Sequence, residues 1–148
     1  MPKLLIFAPC EKVIIDDQKN ATLIVLLNTL TVAHKGDAEI PQDAIGSKEW
    51  AVFTLWQPTE EDVGKEFVQF LQMVKPDGQE FKRAEIRFTV NPSDKISQAR
   101  MNIHGFPIGQ KGPIILNMWL ESSSKKLGEV HSYTVTVVHT TEKDVLSI

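Results

Sequence analysis

A single cysteine, Cys10, is all that the 148 residues contain. No disulfide can form within the chain, and the composition favours a reducing compartment. Long apolar runs are missing too. No stretch approaches the roughly 18 apolar residues of a membrane-spanning helix, and the short run at residues 4–8 has neither the length nor the cleavage site of an export signal. A cytoplasmic protein with no membrane contact is the expectation. Basic excess is also absent: the formal net charge is −3, and the densest basic group is only Lys125-Lys126. A nucleic-acid binder needs a field that attracts phosphates, so nucleic acid is not an expected partner.

Motifs that carry chemistry are equally scarce. A thiolate nucleophile would need a histidine to activate it, and nothing local couples His34, His104, His131 or His139 to Cys10. His131 and His139 are eight residues apart on one predicted strand, about 26 Å if extended, too far to share an ion. Asp16, Asp17 and Asn20 lack the spacing, glycine and final glutamate of a calcium loop. Gly109-Gln110-Lys111-Gly112-Pro113 lacks the spacing and terminal Lys-Ser/Thr of a phosphate loop. Asn20-Ala21-Thr22 is formally a glycosylation site, but without export it reads as a turn. No catalytic, cofactor-binding or metal residue is assigned, and no cofactor is expected.

What is present is a period of two. Residues 4–7 and 13–15 read as strands separated by Ala8-Pro9-Cys10-Glu11, where Pro9, with no N–H for a ladder, predicts an edge or a bulge. Asp16-Asp17-Gln18-Lys19-Asn20 is a turn. Residues 22–32 follow as one strand with no polar face. Residues 33–49 form a long polar loop with a short helical turn near 42–45. In the next strand Trp50, Val52, Thr54 and Trp56 share one face and Ala51, Phe53 and Leu55 the other. Bulk on both faces predicts a central or doubly covered strand. Thr59 and Asp62 have capping-box spacing, but Gly64 limits any helix to a single turn.

Residues 67–74 and FKRAEIRFTV are strands joined by Lys75-Pro76-Asp77-Gly78, a proline-led turn. The alternation of Ala84, Ile86, Phe88 and Val90 against Glu85, Arg87 and Thr89 is the strongest strand signal in the chain. Further strands are predicted at 98–104, at 114–122 with Ile114, Leu116, Met118 and Leu120 on one face, and at 129–139 closing the sheet. The whole reads as one all-β domain over residues 1–148, an antiparallel β-sandwich, immunoglobulin-like, of about eight strands.

On such a scaffold the expected role is a non-enzymatic binding or structural assembly module, with another protein as partner, self-association through edge strands included. The candidate binding surface is the pair of connections 33–49 and 104–113, with His104, Phe106 and Lys111 as its residues. Two alternatives remain open. Trp50, Trp56 and Trp119 would support carbohydrate binding if their faces were exposed, although strand positions favour the core. Cys10 would serve a small hydrolase if a histidine activated it, although a buried thiol packing as a small hydrophobe is the simpler reading.

Cys10-Glu11-Lys12-Val13-Ile14, the acidic turn Asp16-Asp17, the strand start Thr22-Leu23-Ile24 and Gly112 before Ile114 together resemble a family of small bacterial proteins known only as a domain of unknown function. The resemblance spans nearly the whole chain, with Ile114 or Ile115 where the family usually carries an aromatic residue. It implies a compact β-rich fold and supplies no reaction.

Overall fold

In the computed structural model, which describes residues 1–36 and 38–141, the chain forms nine strands. They are β1 (Lys3–Ile15), β2 (Ala21–Leu26), β3 (Thr29–His34), β4 (Ile45–Gln57), β5 (Glu66–Val74), β6 (Glu80–Thr89), β7 (Ser97–Pro107), β8 (Gly112–Ser122) and β9 (Lys125–Thr141). One sheet runs in the order β2-β1-β4-β7 and the other in the order β3-β9-β8-β5-β6. All pairs are antiparallel except β3 with β9. The fold is an all-β, sandwich-like pair of sheets. No helix among the described residues is long and apolar enough to cross a membrane.

The main core lies between the sheets. Trp50, Val52 and Trp56 of β4, with Met101, Ile103 and Phe106 of β7, meet Phe67, Leu71 and Met73 of β5 and the inward row Ile114, Leu116, Met118 and Leu120 of β8. One polar group is built into it. The Gln69 carbonyl oxygen accepts from Thr54 Oγ1 and from Trp56 Nε1, both at 2.8 Å, and its amide nitrogen lies 3.2 Å from Met101 Sδ. The two sheets are thereby joined by hydrogen bonds as well as by apolar contact.

The opposite face of β4 carries a second cluster, in which Cys10, Val13, Ala51 and Phe53 gather with Leu23 and Leu55. The β1–β2 hairpin covers it. Gln98 donates to the Lys19 carbonyl at 3.0 Å and Arg100 to the Val13 carbonyl at 3.3 Å. The double coverage expected of β4 therefore has a hairpin on one side and the second sheet on the other. A polar strip crosses the outer face of the second sheet. Arg83 and Glu80, Gln72, Asn117 and Ser132 form a chain of hydrogen bonds across four strands, so the charges of β6 belong to a solvated face.

Four expectations need correction. Residues 22–32 are not one strand. Leu27 turns into the main core, the Asn28 carbonyl accepts from Thr136 N at 2.9 Å, and the chain crosses to the other sheet. That crossing makes nine strands of the expected eight. It also puts β3 outside β9, which is consequently not an edge. Pro9 marks neither an edge nor a bulge. It sits in an unbroken β1 where pairing passes from β4 to β2, and its carbonyl accepts from Leu27 N. A residue's N–H and C=O point to the same side of a strand, so the missing N–H of proline costs the β4 ladder nothing. The register shift in β1 instead falls between Leu4 and Ile6.

Between β4 and β5 the single turn Glu60–Asp62 forms as expected, and Asp62 closes it by accepting from Thr59 N at 2.7 Å and Thr59 Oγ1 at 2.9 Å. The carboxylate is buried and also meets the Met1 ammonium at 2.9 Å. Burial pushes its carboxyl up, but the Thr59 hydrogen bonds and the ammonium outweigh that and hold it below the ordinary range. A depressed folded-state value gives stability above the unfolded-state value, lost as pH falls through the folded one. Asp62→Asn should therefore be less stable than the wild type by about 1–2 kcal/mol at neutral pH. In urea titrations the gap should narrow below about pH 4; a gap independent of pH contradicts this reading.

Candidate functional site

Cys10 sits in the second cluster, fully buried against aliphatic and aromatic side chains. Burial pushes its thiol up, opposed by a weaker backbone hydrogen bond from Lys12. A thiol held protonated and out of solvent is packing, not a nucleophile. Trp50 and Trp56 point between the sheets. Trp119 is on the outer face of the second sheet, where Phe70 stacks on it at 5.5 Å and the Arg83 and Lys126 cations lie 5.6 and 4.9 Å from its centroid. None of the three indoles presents an open face on which a sugar ring would stack.

The candidates His104, Phe106 and Lys111 are not brought together. His104 is exposed on the outer face of the first sheet, 3.6 Å from the equally exposed Glu49, a pairing worth little in water. Gly105, with φ +90°, and the register shift between Gly46 and Glu49 break the alternation there. Phe106 consequently turns into the core, edge-to-face with Trp50 at 5.3 Å, while the Gly105 carbonyl accepts from Trp50 Nε1 at 2.9 Å.

Lys111 belongs to a different place, where the β3–β4 and β7–β8 connections meet; both are shorter than expected, because residues 33–34 and 45–49 belong to β3 and β4, and residues 104–107 and 112–113 to β7 and β8. Ile108 N donates to the Ala44 carbonyl at 3.0 Å, and Gly109 lies directly against the backbone of Pro41 and Gln42. Gln110 is tied in turn to Asp77 of the β5–β6 turn by two hydrogen bonds, at 2.9 and 3.1 Å. The result is a shallow cleft of about 610 Å³ at one end of the sandwich, lined by His34, Glu39, Gln42, Gln110, Lys111 and His139 among others. His139 Nε2 donates to the Ile108 carbonyl at 2.6 Å, and His34 Nδ1 is buried with no hydrogen-bond partner among the described residues. Among those residues no group of three or more His, Cys, Asp or Glu stands close enough to hold a metal ion.

The most unusual surface is elsewhere, at the edge of the first sheet. β2 pairs with β1 alone, from Ile15 opposite Ala21 to Cys10 opposite Leu26. On this hairpin Ile24, Val25 and Leu26 are 37%, 55% and 50% exposed, and Ile14 and Ile15 are exposed beside them. No pair forms between Glu11 and Val25, where Val25 takes a left-handed φ of +56°. A β-branched residue adopts that conformation only at a cost of about 1–3 kcal/mol. Residues 20–33 contain no charged side chain. These residues were not among the sequence candidates, although the missing polar face of 22–32 is their signal.

No family model matches the chain, and no curated protein sequence matches it.

Proposed function

We propose that the protein is a non-enzymatic binding and assembly module on an immunoglobulin-like sandwich, and that it engages a protein partner through the free edge of β2. One observation carries the reading: an edge strand that exposes Ile24, Val25 and Leu26 with no charge to guard it. Sheet edges left apolar and unpaired recruit other strands, and proteins ordinarily blunt them with charge, proline or cover. The edge strand β6 follows that practice, with Glu80, Lys82, Arg83, Glu85 and Arg87 in ten residues. At β2 the uncharged edge also exposes large apolar side chains, and that combination is best understood as use.

Support for the immunoglobulin-like assignment comes from two stacked sheets whose chain crosses repeatedly between them. The buried free thiol suits a cytoplasmic setting. Kinship with the bacterial family suggested by residues 10–14 belongs to the same reading and brings no reaction with it. The test is a photo-crosslinking amino acid at Leu26, in cells producing the protein, against a control at Glu85 on β6. Leu26 should yield an adduct of discrete mass and Glu85 none. Silence at Leu26, or the same adducts from both positions, contradicts the proposal.

A further inference from the structure

We propose that the partner at this edge is a second copy of the chain, its β2 antiparallel to the first across a two-fold axis near Ile24, so that two four-stranded sheets become one. The inference rests on the reading of β2 as an interaction surface and names its occupant.

Charge is the first argument. Across a two-fold axis a strand meets itself, so any charge near the axis faces its own copy, and like charges directly opposite are destabilising. A strand built to bind a different protein gains specificity from charge; one built to bind itself must do without it close to the axis. β2 has none, nor do its flanks from residue 20 to residue 33. The remaining edges fit self-pairing less well. β6 carries five charges, and Lys82 of β6 reaches across to the His104 carbonyl of β7 at 3.1 Å, joining the sheets on that side. β3 is uncharged apart from its histidine, but its exposed positions are Thr29, Thr31 and Ala33, which offer little apolar surface.

Area is the second argument. Ile14, Ile15, Ile24, Val25 and Leu26, each more than a third exposed, together expose roughly 400 Å² of surface, divided between the two faces of the hairpin because successive strand residues point to opposite sides. That is about half of the ~800 Å² each partner gives to a standard interface. Backbone pairing along β2 and the polar rim of the hairpin supply the rest. Buried area does not fix affinity, so association is sought over concentrations that span the micromolar range. The left-handed Val25 fits the same picture, since it interrupts the ladder to β1 where the strand exposes Val25 itself, more accessible than Ile24 and Leu26 on either side.

Sedimentation velocity on the purified full chain, from about 1 to about 300 µM, bracketing a micromolar constant, tests the proposal. The weight-average mass should rise from 16.6 kDa towards twice that value. Ile24→Lys, whose ammonium can reach solvent from this exposed site, should weaken association at least tenfold while leaving the melting temperature within a few degrees. Mixing Ile24→Lys with Ile24→Glu should restore the dimer as a mixed pair, because opposite charges then meet at the axis. A wild type that stays monomeric throughout overturns the second copy, while an adduct at Leu26 with another protein would still uphold the edge as a binding surface. A dimer indifferent to Ile24→Lys overturns the inference by placing the interface elsewhere. Loss of the dimer without rescue by the mixed charges overturns the two-fold axis near Ile24.

Discussion

Gly109→Ala should cost about 3 kcal/mol or more of unfolding free energy, a large effect for the addition of one methyl group. A Cβ at Gly109 would land inside the carbonyl groups of Pro41 and Gln42. Those are backbone atoms, so no rotamer change relieves the clash and the 41–44 turn must move. Moving it endangers the bond from Ala44 N to the Pro41 carbonyl, which closes that turn, and the bond from Ile108 N to the Ala44 carbonyl, which ties the two connections together. Gly46→Ala is the matched control. Its Cβ would meet the Ile108 side chain at 3.4 Å and the Phe106 carbonyl at an ordinary 3.8 Å, and should cost no more than about 1 kcal/mol. Urea denaturation of both variants decides the matter: equal stabilities would mean that the connections are not locked together.

Gln69→Leu is the second large effect. The substitution keeps the volume nearly unchanged but removes the shared acceptor of Thr54 Oγ1 and Trp56 Nε1. Two donors are then left in the core without a partner, each at a cost of about 1–3 kcal/mol, and a total near 3 kcal/mol is expected. Thr54→Val should cost only about 1 kcal/mol, because Trp56 still satisfies the Gln69 carbonyl. The double variant should cost less than the sum of the two singles, since Thr54→Val removes one of the orphans that Gln69→Leu creates. Strict additivity in thermal or chemical unfolding would show that the network is not the unit described here.

Local pattern made much of this fold legible. The alternation of FKRAEIRFTV reports directly which side chains of β6 pack and which meet water, and Ile114, Leu116, Met118 and Leu120 do the same for β8. Bulk on both faces of the strand at 50–58 anticipated the second cluster under the hairpin. Long-range choices were not legible. Nothing local tells that Leu27 and Asn28 carry the chain from one sheet to the other, because a strand that switches sheets keeps its β-branched composition. His104 and Phe106 were grouped as one candidate surface, but Gly105 breaks the alternation between them and sends Phe106 into the core.

The site was half visible. The lack of a polar face at 22–32 was apparent, but exposure of Ile24, Val25 and Leu26 follows from β2 being an edge. Edges are decided by partners such as β4 that lie far along the chain. Residues 33–49 and 104–113 were each named as candidate surfaces, but nothing in the sequence told that they meet or that His34 of β3 and His139 of β9 line the cleft between them.

Hydrogen exchange of the peptide covering β2, followed by mass spectrometry as protein concentration is raised, tests the central claim most directly. An unpaired edge exchanges readily, and a paired one is protected. The account predicts that β2 slows as concentration increases while the charged edge strand β6 does not change. Exchange in β2 that stays fast at every concentration, or protection that arrives at β6 or β7 instead, would contradict it.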